Sequence, residues 1–157
     1  MTNLKVKVIK KLNERGITID DIAPITYELQ KNYQDITIDD CKEVISSVLD
    51  EKEVQYAILT GIAIDEAAEK QLFDKDVNDI ITSDTINYGL DEILALSIIN
   101  KFGSIALTNF GHIDKVKPYI IGRMDQLGKK TKLCTTFLDD LIAAIAAASA
   151  SQIANKK

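Results

Sequence analysis

The sequence predicts an all-α fold, a single-domain multihelical bundle. Apolar residues recur at helical spacing through most of the chain, and no segment shows the alternation typical of a half-buried strand. Capping residues and glycines divide the apolar runs into helix-sized lengths. The 157 residues, 46% hydrophobic and 27% charged, suffice for one core and are typical of a globular protein.

Residues 1–52 predict three helices. Leu4, Val8 and Leu12 share one helical face, and Gly16 follows as a stop. Thr18 and Thr37 each open a Thr-Ile-Asp-Asp sequence, in which the threonine is a good N-cap and the acid three residues later favours a helix N-terminus. The second helix should carry Ile22, Ile25, Leu29 and Tyr33, and the third should bury Cys41, Val44, Ile45 and Val48.

Residues 53–157 predict more apolar helices. The helix expected at 53–72 is apolar on nearly all sides around Ile62, so its middle should be buried all round. The Ala-rich run from Ala143 to Ala150 should be buried or should pack against a second copy of the chain. Further helices are expected at 74–84, 88–102, 117–128 (opened by Lys117-Pro118) and 136–154, with a less regular stretch at 103–111 and an exposed loop at 128–132.

Charge and cysteine content exclude several classes of protein. The net charge of −5 argues against nucleic acid as a partner, because phosphate backbones require clustered Lys and Arg. Two cysteines make no disulfide framework and suit a reducing cytoplasm. No signal peptide and no uninterrupted apolar run of about 20 residues is visible. The expected location is therefore the cytoplasm.

Three acidic clusters lie beside apolar helical runs in the second half of the chain. They are Asp91-Glu92, Asp114 and Asp139-Asp140. Carboxylates are costly to desolvate unless they are paired or bind a cation. If the three clusters converge, they form an all-oxygen pocket of the kind that Mg²⁺ shares with a substrate phosphate.

Each cluster also has a purely structural interpretation. Asp91 and Glu92 could interact with a helix dipole, although their apolar neighbours favour at least one acid facing inward. Thr136 could be an N-cap with Asp139 three residues later, which makes Asp139 the capping or supporting residue and Asp140 the better metal ligand.

The basic and sulfur side chains near these clusters are less specific. Asp114 and Lys117 could form a plain surface ion pair, or they could bind metal and phosphate respectively. His112 is the only histidine, which makes a zinc site improbable. Cys134 is not followed by the Arg that a cysteine phosphatase needs for its phosphate cradle.

The three segments together resemble the phosphatidylglycerophosphatase A family, in particular its small, soluble, YutG-like branch. The residues that carry the resemblance are Asp91-Glu92 before an apolar helix, Phe110-x3-Asp114-x2-Lys117-Pro118, and Phe137-x-Asp139-Asp140 before an Ala-rich helix. The likeness extends over residues 55–150 approximately, so residues 53–157 are assigned to a family-like core and residues 1–52 to additional N-terminal helices.

The resemblance implies a bundle around one central helix and a Mg²⁺-dependent phosphatase that converts phosphatidylglycerophosphate to phosphatidylglycerol. It assigns metal binding to Asp91, Glu92, Asp114 and Asp140. Glu92 would accept a proton from the attacking water, and Lys117 would neutralise phosphate charge. His112 is assigned to substrate binding, in the stretch where the family has an Arg.

The chain departs from the family's membrane enzymes in three ways. It has no transmembrane helix, no early Gly-Thr-x-Gly segment and no Arg just before Asp114. To reach a lipid substrate, the protein would have to bind the inner surface of the membrane. The Ile120-Ile121 pair and the Lys129-Lys130 loop are expected to contact that surface. The alternative function is a non-catalytic, homo-oligomeric interaction protein that retains the fold.

Overall fold

The computed structural model describes residues 3–156. Over that range the chain forms nine α-helices and no β-strand, so the predicted all-α bundle is confirmed. The helices are α1 (Leu4–Glu14), α2 (Ile19–Gln30), α3 (Ile38–Val48), α4 (Lys52–Glu69), α5 (Lys75–Thr82), α6 (Leu90–Phe102), α7 (Ser104–Val116), α8 (Ile120–Lys130) and α9 (Thr136–Asn155).

Helix α9 lies at the centre of the bundle, as predicted. It packs against α2, α3, α4, α6, α7 and α8. Its alanines let the neighbouring helices approach closely, and Thr26 of α2 donates a hydrogen bond to the carbonyl of Ala146 at 3.1 Å. By length and composition α9 could cross a membrane, but most of it is buried inside the bundle, as in a core helix.

The Ala-rich run is not a subunit interface. Every residue from Ala143 to Ala150 is buried within its own chain. The interpretation that placed a homo-oligomer contact on these alanines is therefore wrong, because the surrounding helices already cover them.

Helices α2 and α3 begin as the sequence predicted. Thr18 and Thr37 each accept a hydrogen bond from the amide of the aspartate three residues later, and that aspartate in turn accepts one from the threonine amide. These are complete capping boxes. Helix α2 ends at Gln30, however, so the expected place of Tyr33 on this helix is wrong, and its side chain is 81% exposed.

The segment between α6 and α8 is more helical than predicted. Residues 103–111 were expected to be irregular, yet α7 runs unbroken from Ser104 because one face packs on α9. Helix α8 begins at Ile120 and not at Lys117-Pro118, and it continues past Gly128 to Lys130. Proline lacks the N–H needed to continue α7, so Pro118 ends one helix without joining the next.

Two further burial predictions are wrong. Thr60 and Ala63 on α4 are exposed, so the middle of this helix is not buried on all sides. Ile120 and Ile121 are 5% and 1% exposed, so they belong to the core and cannot contact a bilayer. Lys129 and Lys130 are exposed as expected, but at the end of a helix.

Candidate metal and phosphate site

The three acidic clusters meet in the folded chain. Asp91 lies in the first turn of α6, Asp114 near the end of α7 and Asp140 near the start of α9. The Asp140 carboxyl lies within hydrogen-bonding range of the carboxyls of Asp114 and Asp91. Asp91, Asp114, Asp139 and Asp140 are called the carboxyl cluster below.

Crowding and burial perturb the acids of the carboxyl cluster. Burial, followed by the charge of Asp139 and hydrogen bonds to Asp114 and Asp91, raises the pKa of Asp140 far above its usual range. Burial also raises the pKa of Asp139. Like charges this close cannot all be ionised unless a cation or protons neutralise them. The cluster thus has the electrostatics of a cation site.

Lys117 lies against the carboxyl cluster. Its Nζ is 3.3 Å from Asp139 Oδ2 and 3.9 Å from a carboxylate oxygen of both Asp114 and Asp125. Burial lowers the pKa of Lys117, but the charges of Asp139, Asp114 and Asp125 outweigh it and raise the pKa. Lys117 therefore remains a cation and offers a positive charge beside the acids.

A tight turn fixes the backbone of Lys117. Lys117 has φ 50° and ψ 58°, the left-handed region that non-glycine residues rarely adopt, and Tyr119 has φ 53°. Helix α8 approaches this turn so closely that a Cβ at Gly122 would lie 2.5 Å from the Lys117 carbonyl oxygen. Such conformations persist where the surrounding structure enforces them, often at functional sites.

Asp139 does not cap α9, which corrects the sequence prediction. The N-cap of this helix is Thr135, not Thr136, and it makes no side-chain capping bond. The amides of Phe137 and Leu138 instead donate to the two carboxylate oxygens of Asp65 on α4, each at 3.0 Å. Asp139 is thereby left to pair with Lys117.

A network around Asp65 holds the chain that enters α9. Glu69 accepts a hydrogen bond from the Cys134 amide at 2.7 Å and pairs with Arg15, the residue that follows α1. Burial raises the pKa of Asp65 to about 7, although hydrogen bonds from Phe137, Leu138 and Cys134 lower it. Burial likewise raises the pKa of the Cys134 thiol to about 11, which does not suit a nucleophile.

Glu92 lies at the rim of the carboxyl cluster. Its side chain is exposed, whereas its neighbour Asp91 is 6% exposed, so one acid of the pair faces inward as expected. Partial burial and the nearby charges of Asp114 and Asp91 raise the pKa of Glu92. A solvent-facing carboxylate with a raised pKa suits a general base.

A cleft of about 550 Å³ opens beside Lys117, between α5, α8 and the start of α9. Sequence reasoning missed two acids in it, Asp84 and Asp125. Asp125 pairs with Lys129 at 2.8 Å, a spacing that the sequence presents as an ordinary helix pair. Burial and then the charge of Asp91 raise the pKa of Asp84, which lies at the end of the short polar helix expected at 74–84.

His112 is not part of this site. It is exposed and lines a separate groove with Glu28 and Leu29 of α2. Residues two positions apart on a helix point in nearly opposite directions, so His112 faces away from Asp114. The structure gives no support to its assigned role in substrate binding.

The chemistry of the donor set fits Mg²⁺, which prefers carboxylate oxygen ligands. As the side chains stand, no group of three or more His, Cys, Asp or Glu residues within residues 3–156 has the arrangement of a metal site. The carboxyl of Asp140 instead lies within hydrogen-bonding range of those of Asp91 and Asp114, and Lys117 donates to Asp139. Metal binding would therefore require side-chain rotation and proton loss.

Comparison with known proteins identifies the family of this chain. A family profile described as phosphatidylglycerophosphatase A matches residues 8–155. The chain belongs to the phosphatidylglycerophosphatase A family. It is 43% identical over 156 residues to the uncharacterized protein YutG of Bacillus subtilis, covering 99% of this chain and 93% of YutG. It is 44% identical over 145 residues to the uncharacterized protein YpjQ of the same organism, covering 92% of this chain and 80% of YpjQ.

Solved structures show that this fold is shared by similar proteins. A protein of unknown function from Bacillus stearothermophilus has a TM-score of 0.94 and 46% identity, over 99% of this chain and 96% of that one. The low temperature requirement C protein from Listeria monocytogenes has a TM-score of 0.93 and 45% identity, over 98% and 96%. The fold of these two proteins therefore extends over almost all of the given chain.

Proposed function

We propose that this protein is a Mg²⁺-dependent phosphatase that hydrolyses the phosphomonoester of phosphatidylglycerophosphate or of a related phosphoester. One observation carries the proposal. Three carboxyls from sequence-distant helices, those of Asp91, Asp114 and Asp140, converge beside the cation of Lys117. A bundle that served only as a scaffold has no need to hold such acids together, because burying them is costly.

The carboxyl cluster and Glu92 would supply the metal ligands, through Asp91, Glu92, Asp114 and Asp140. When bound, Mg²⁺ polarises the phosphate and activates water. Lys117, which both lines the cleft and contacts the cluster, would stabilise charge on the phosphate oxygens. Glu92 would accept the proton of the attacking water as the bond from phosphorus to the alcohol oxygen breaks, and the departing oxygen would take up a proton from solvent.

An apolar groove beside the carboxyl cluster favours a lipid substrate. The groove, of about 350 Å³, is lined by Ile64, Leu90, Ile93 and Leu94 among others. Leu90 and Ile93 are 55% and 61% exposed and flank Asp91 and Glu92 in sequence. These side chains replace the buried Ile120 and Ile121 as the proposed contact with acyl chains. The proposed location is the cytoplasm, at the inner face of the membrane.

Phosphate release by the purified protein tests the proposal. Phosphatidylglycerophosphate in mixed micelles and soluble phosphomonoesters would be compared with Mg²⁺ and with chelator. We expect Mg²⁺-dependent release that falls at least about 100-fold in Asp140→Asn, because a metal ligand is lost. Asp50→Asn changes an exposed acid that is distant in sequence from the carboxyl cluster, so this control variant should retain activity.

The outcome also separates the substrate classes. Release from the lipid alone would support the groove, and release from soluble esters alone would remove the membrane from the proposal. No Mg²⁺-dependent release from any substrate would contradict the phosphatase and favour the alternative, a non-catalytic homo-oligomeric protein. Such an oligomer would need a surface other than the buried Ala143–Ala150 run.

A further inference from the structure

A second cavity lies at the opposite end of α9 from the carboxyl cluster. It has a volume of about 500 Å³ and is bounded by the end of α2, the first half of α7 and Ala154 of α9. Asp140 lies about 21 Å from Ala154 along the same helix, at 1.5 Å per residue. None of the described residues that line this cavity is charged. It is therefore separate from the proposed phosphatase site and unsuited to a phosphate.

Two buried polar atoms in the lining of this cavity have no hydrogen-bond partner among the described residues. They are Oε1 of Gln30 and Nδ2 of Asn109. Gln30 is only 5% exposed, and its Nε2 donates to the Leu29 carbonyl at 3.3 Å, which fixes which end of the amide is satisfied. An unpaired buried acceptor or donor is destabilising and rare in native proteins, so each one calls for a partner.

The two atoms define the chemistry of that partner. Gln30 Oε1 needs a donor, and Asn109 Nδ2 needs an acceptor. Leu29 and Ile105 add apolar surface, and the ring of Tyr33 stands exposed at the cavity. A cyclic amide carries an N–H and a C=O on one flat, uncharged, largely apolar ring, and so supplies every feature at once.

We propose that this cavity is a second binding site for a neutral planar ligand with a cyclic amide edge, such as the ring of a pyrimidine base. The ligand donates to Gln30 and accepts from Asn109, while its faces contact Leu29, Ile105 and Tyr33. Cavities that combine apolar walls with a few polar groups are typical of small-molecule sites. Because α9 and α7 extend from this cavity to the carboxyl cluster, an occupant would contact two helices that also carry Asp114 and Asp140.

The probe for this site is 2-pyridone, with N-methyl-2-pyridone as its matched control. Protein labelled with ¹⁵N is titrated with each compound, and the side-chain amide resonances of Gln30 and Asn109 are followed. We expect saturable shifts with 2-pyridone and a response at least about tenfold weaker with the N-methylated ring, which lacks the donor. No shift up to the solubility limit, or equal shifts with both compounds, would overturn the proposal.

A substitution gives an independent readout. Gln30→Met keeps the length of the side chain but removes the unpaired acceptor, so the melting temperature without probe should rise while the response of Asn109 to 2-pyridone weakens about tenfold. Gln152→Met, at a partly exposed glutamine elsewhere on the bundle, should change neither. Undiminished binding in Gln30→Met would refute the site. Shifts of the Gln30 amide on dilution alone would also refute it, because a second copy of the chain would then be the occupant.

Discussion

Three helices of this protein begin with the same local pattern but do not end up capped in the same way. Thr18, Thr37 and Thr136 are each followed three residues later by an aspartate. At α2 and α3 the threonine and the aspartate form a capping box. At α9 the cap comes from Asp65, 72 and 73 residues away from the amides that it binds.

The difference shows what decides the use of an acidic residue near a helix start. Helices α2 and α3 begin at the surface, where only the adjacent side chains can reach the free amides. Helix α9 begins in the interior against α4, which supplies a carboxylate from outside the helix. Asp139 and Asp140 are consequently released from capping and can join the carboxyl cluster.

The largest expected effect on stability comes from Asp65→Asn. Phe137 and Leu138 donate to different oxygens of Asp65, and the substitution replaces one of them by an NH2 group that cannot accept. One buried N–H therefore loses its partner, and the free energy of unfolding should fall by about 1–3 kcal/mol. Urea unfolding at mildly acidic pH measures this change. Phosphate release should fall as well, because the same bonds place the start of α9. A stability equal to that of the parent protein would show that Asp65 does not cap α9.

The pH dependence of stability gives a second test of the buried position of Asp65 at the start of α9. The pKa of Asp65 is raised from 3.8 to about 7 in the folded protein, so the unfolded chain releases this proton first. The contribution of Asp65 to stability is therefore complete below pH about 4 and is lost as the pH rises toward about 7. Over this window the parent protein should lose up to about 1.4 kcal/mol more per pH unit than Asp65→Asn. Parallel curves would contradict the assignment.

The local caps should have smaller effects. Thr18→Ala and Thr37→Ala each remove one capping oxygen at the surface and should lower the free energy of unfolding by about 1 kcal/mol. Their effects should be additive, because the two boxes share no partner. Neither substitution should alter phosphate release, since both lie outside the carboxyl cluster. Denaturation of the two single variants and the double variant tests this.

The smallest effect is expected for Asp139→Asn. If the local pattern capped α9 as it caps α2, this change would cost about as much as the threonine substitutions. Because asparagine keeps the shape of Asp139 and removes a buried charge whose desolvation cost offsets its pairing with Lys117, we expect a change in unfolding free energy within about 0.5 kcal/mol together with weaker phosphate release. A fall of about 1 kcal/mol in the free energy of unfolding, with full phosphate release, would show instead that Asp139 caps α9 as Asp21 caps α2.

Sequence reasoning succeeded where the determinants are local. The capping boxes of α2 and α3 and the apolar composition of α9 are readable from neighbouring residues. It failed at α7, where Gly111 lowers helix propensity but packing on α9 overrides it. The start of α8 was misplaced because the turn at Lys117 depends on close approach by Gly122, which is a tertiary contact.

The site was predictable only in part for the same reason. The apolar surroundings of the acids pointed to Asp91, Asp114 and Asp140, and the resemblance to the family implied that they bind one metal site together. Asp65 and Asp125 were missed because their partners are remote in sequence or look like ordinary helix pairs. His112 was assigned to substrate binding by its place in the motif, but it lies on a different face of α7 from Asp114 and lines a separate groove.

The position of α9 in the chain order has a consequence for biosynthesis. It is the last of the nine described helices, yet six of the earlier ones pack on it. A growing chain that emerges from the ribosome must therefore carry several helices whose apolar faces have no covering partner until α9 is made. Contacts between distant parts of a chain form late, and uncovered apolar surface favours aggregation. Delayed completion of translation before residue 136 would leave this protein dependent on chaperones.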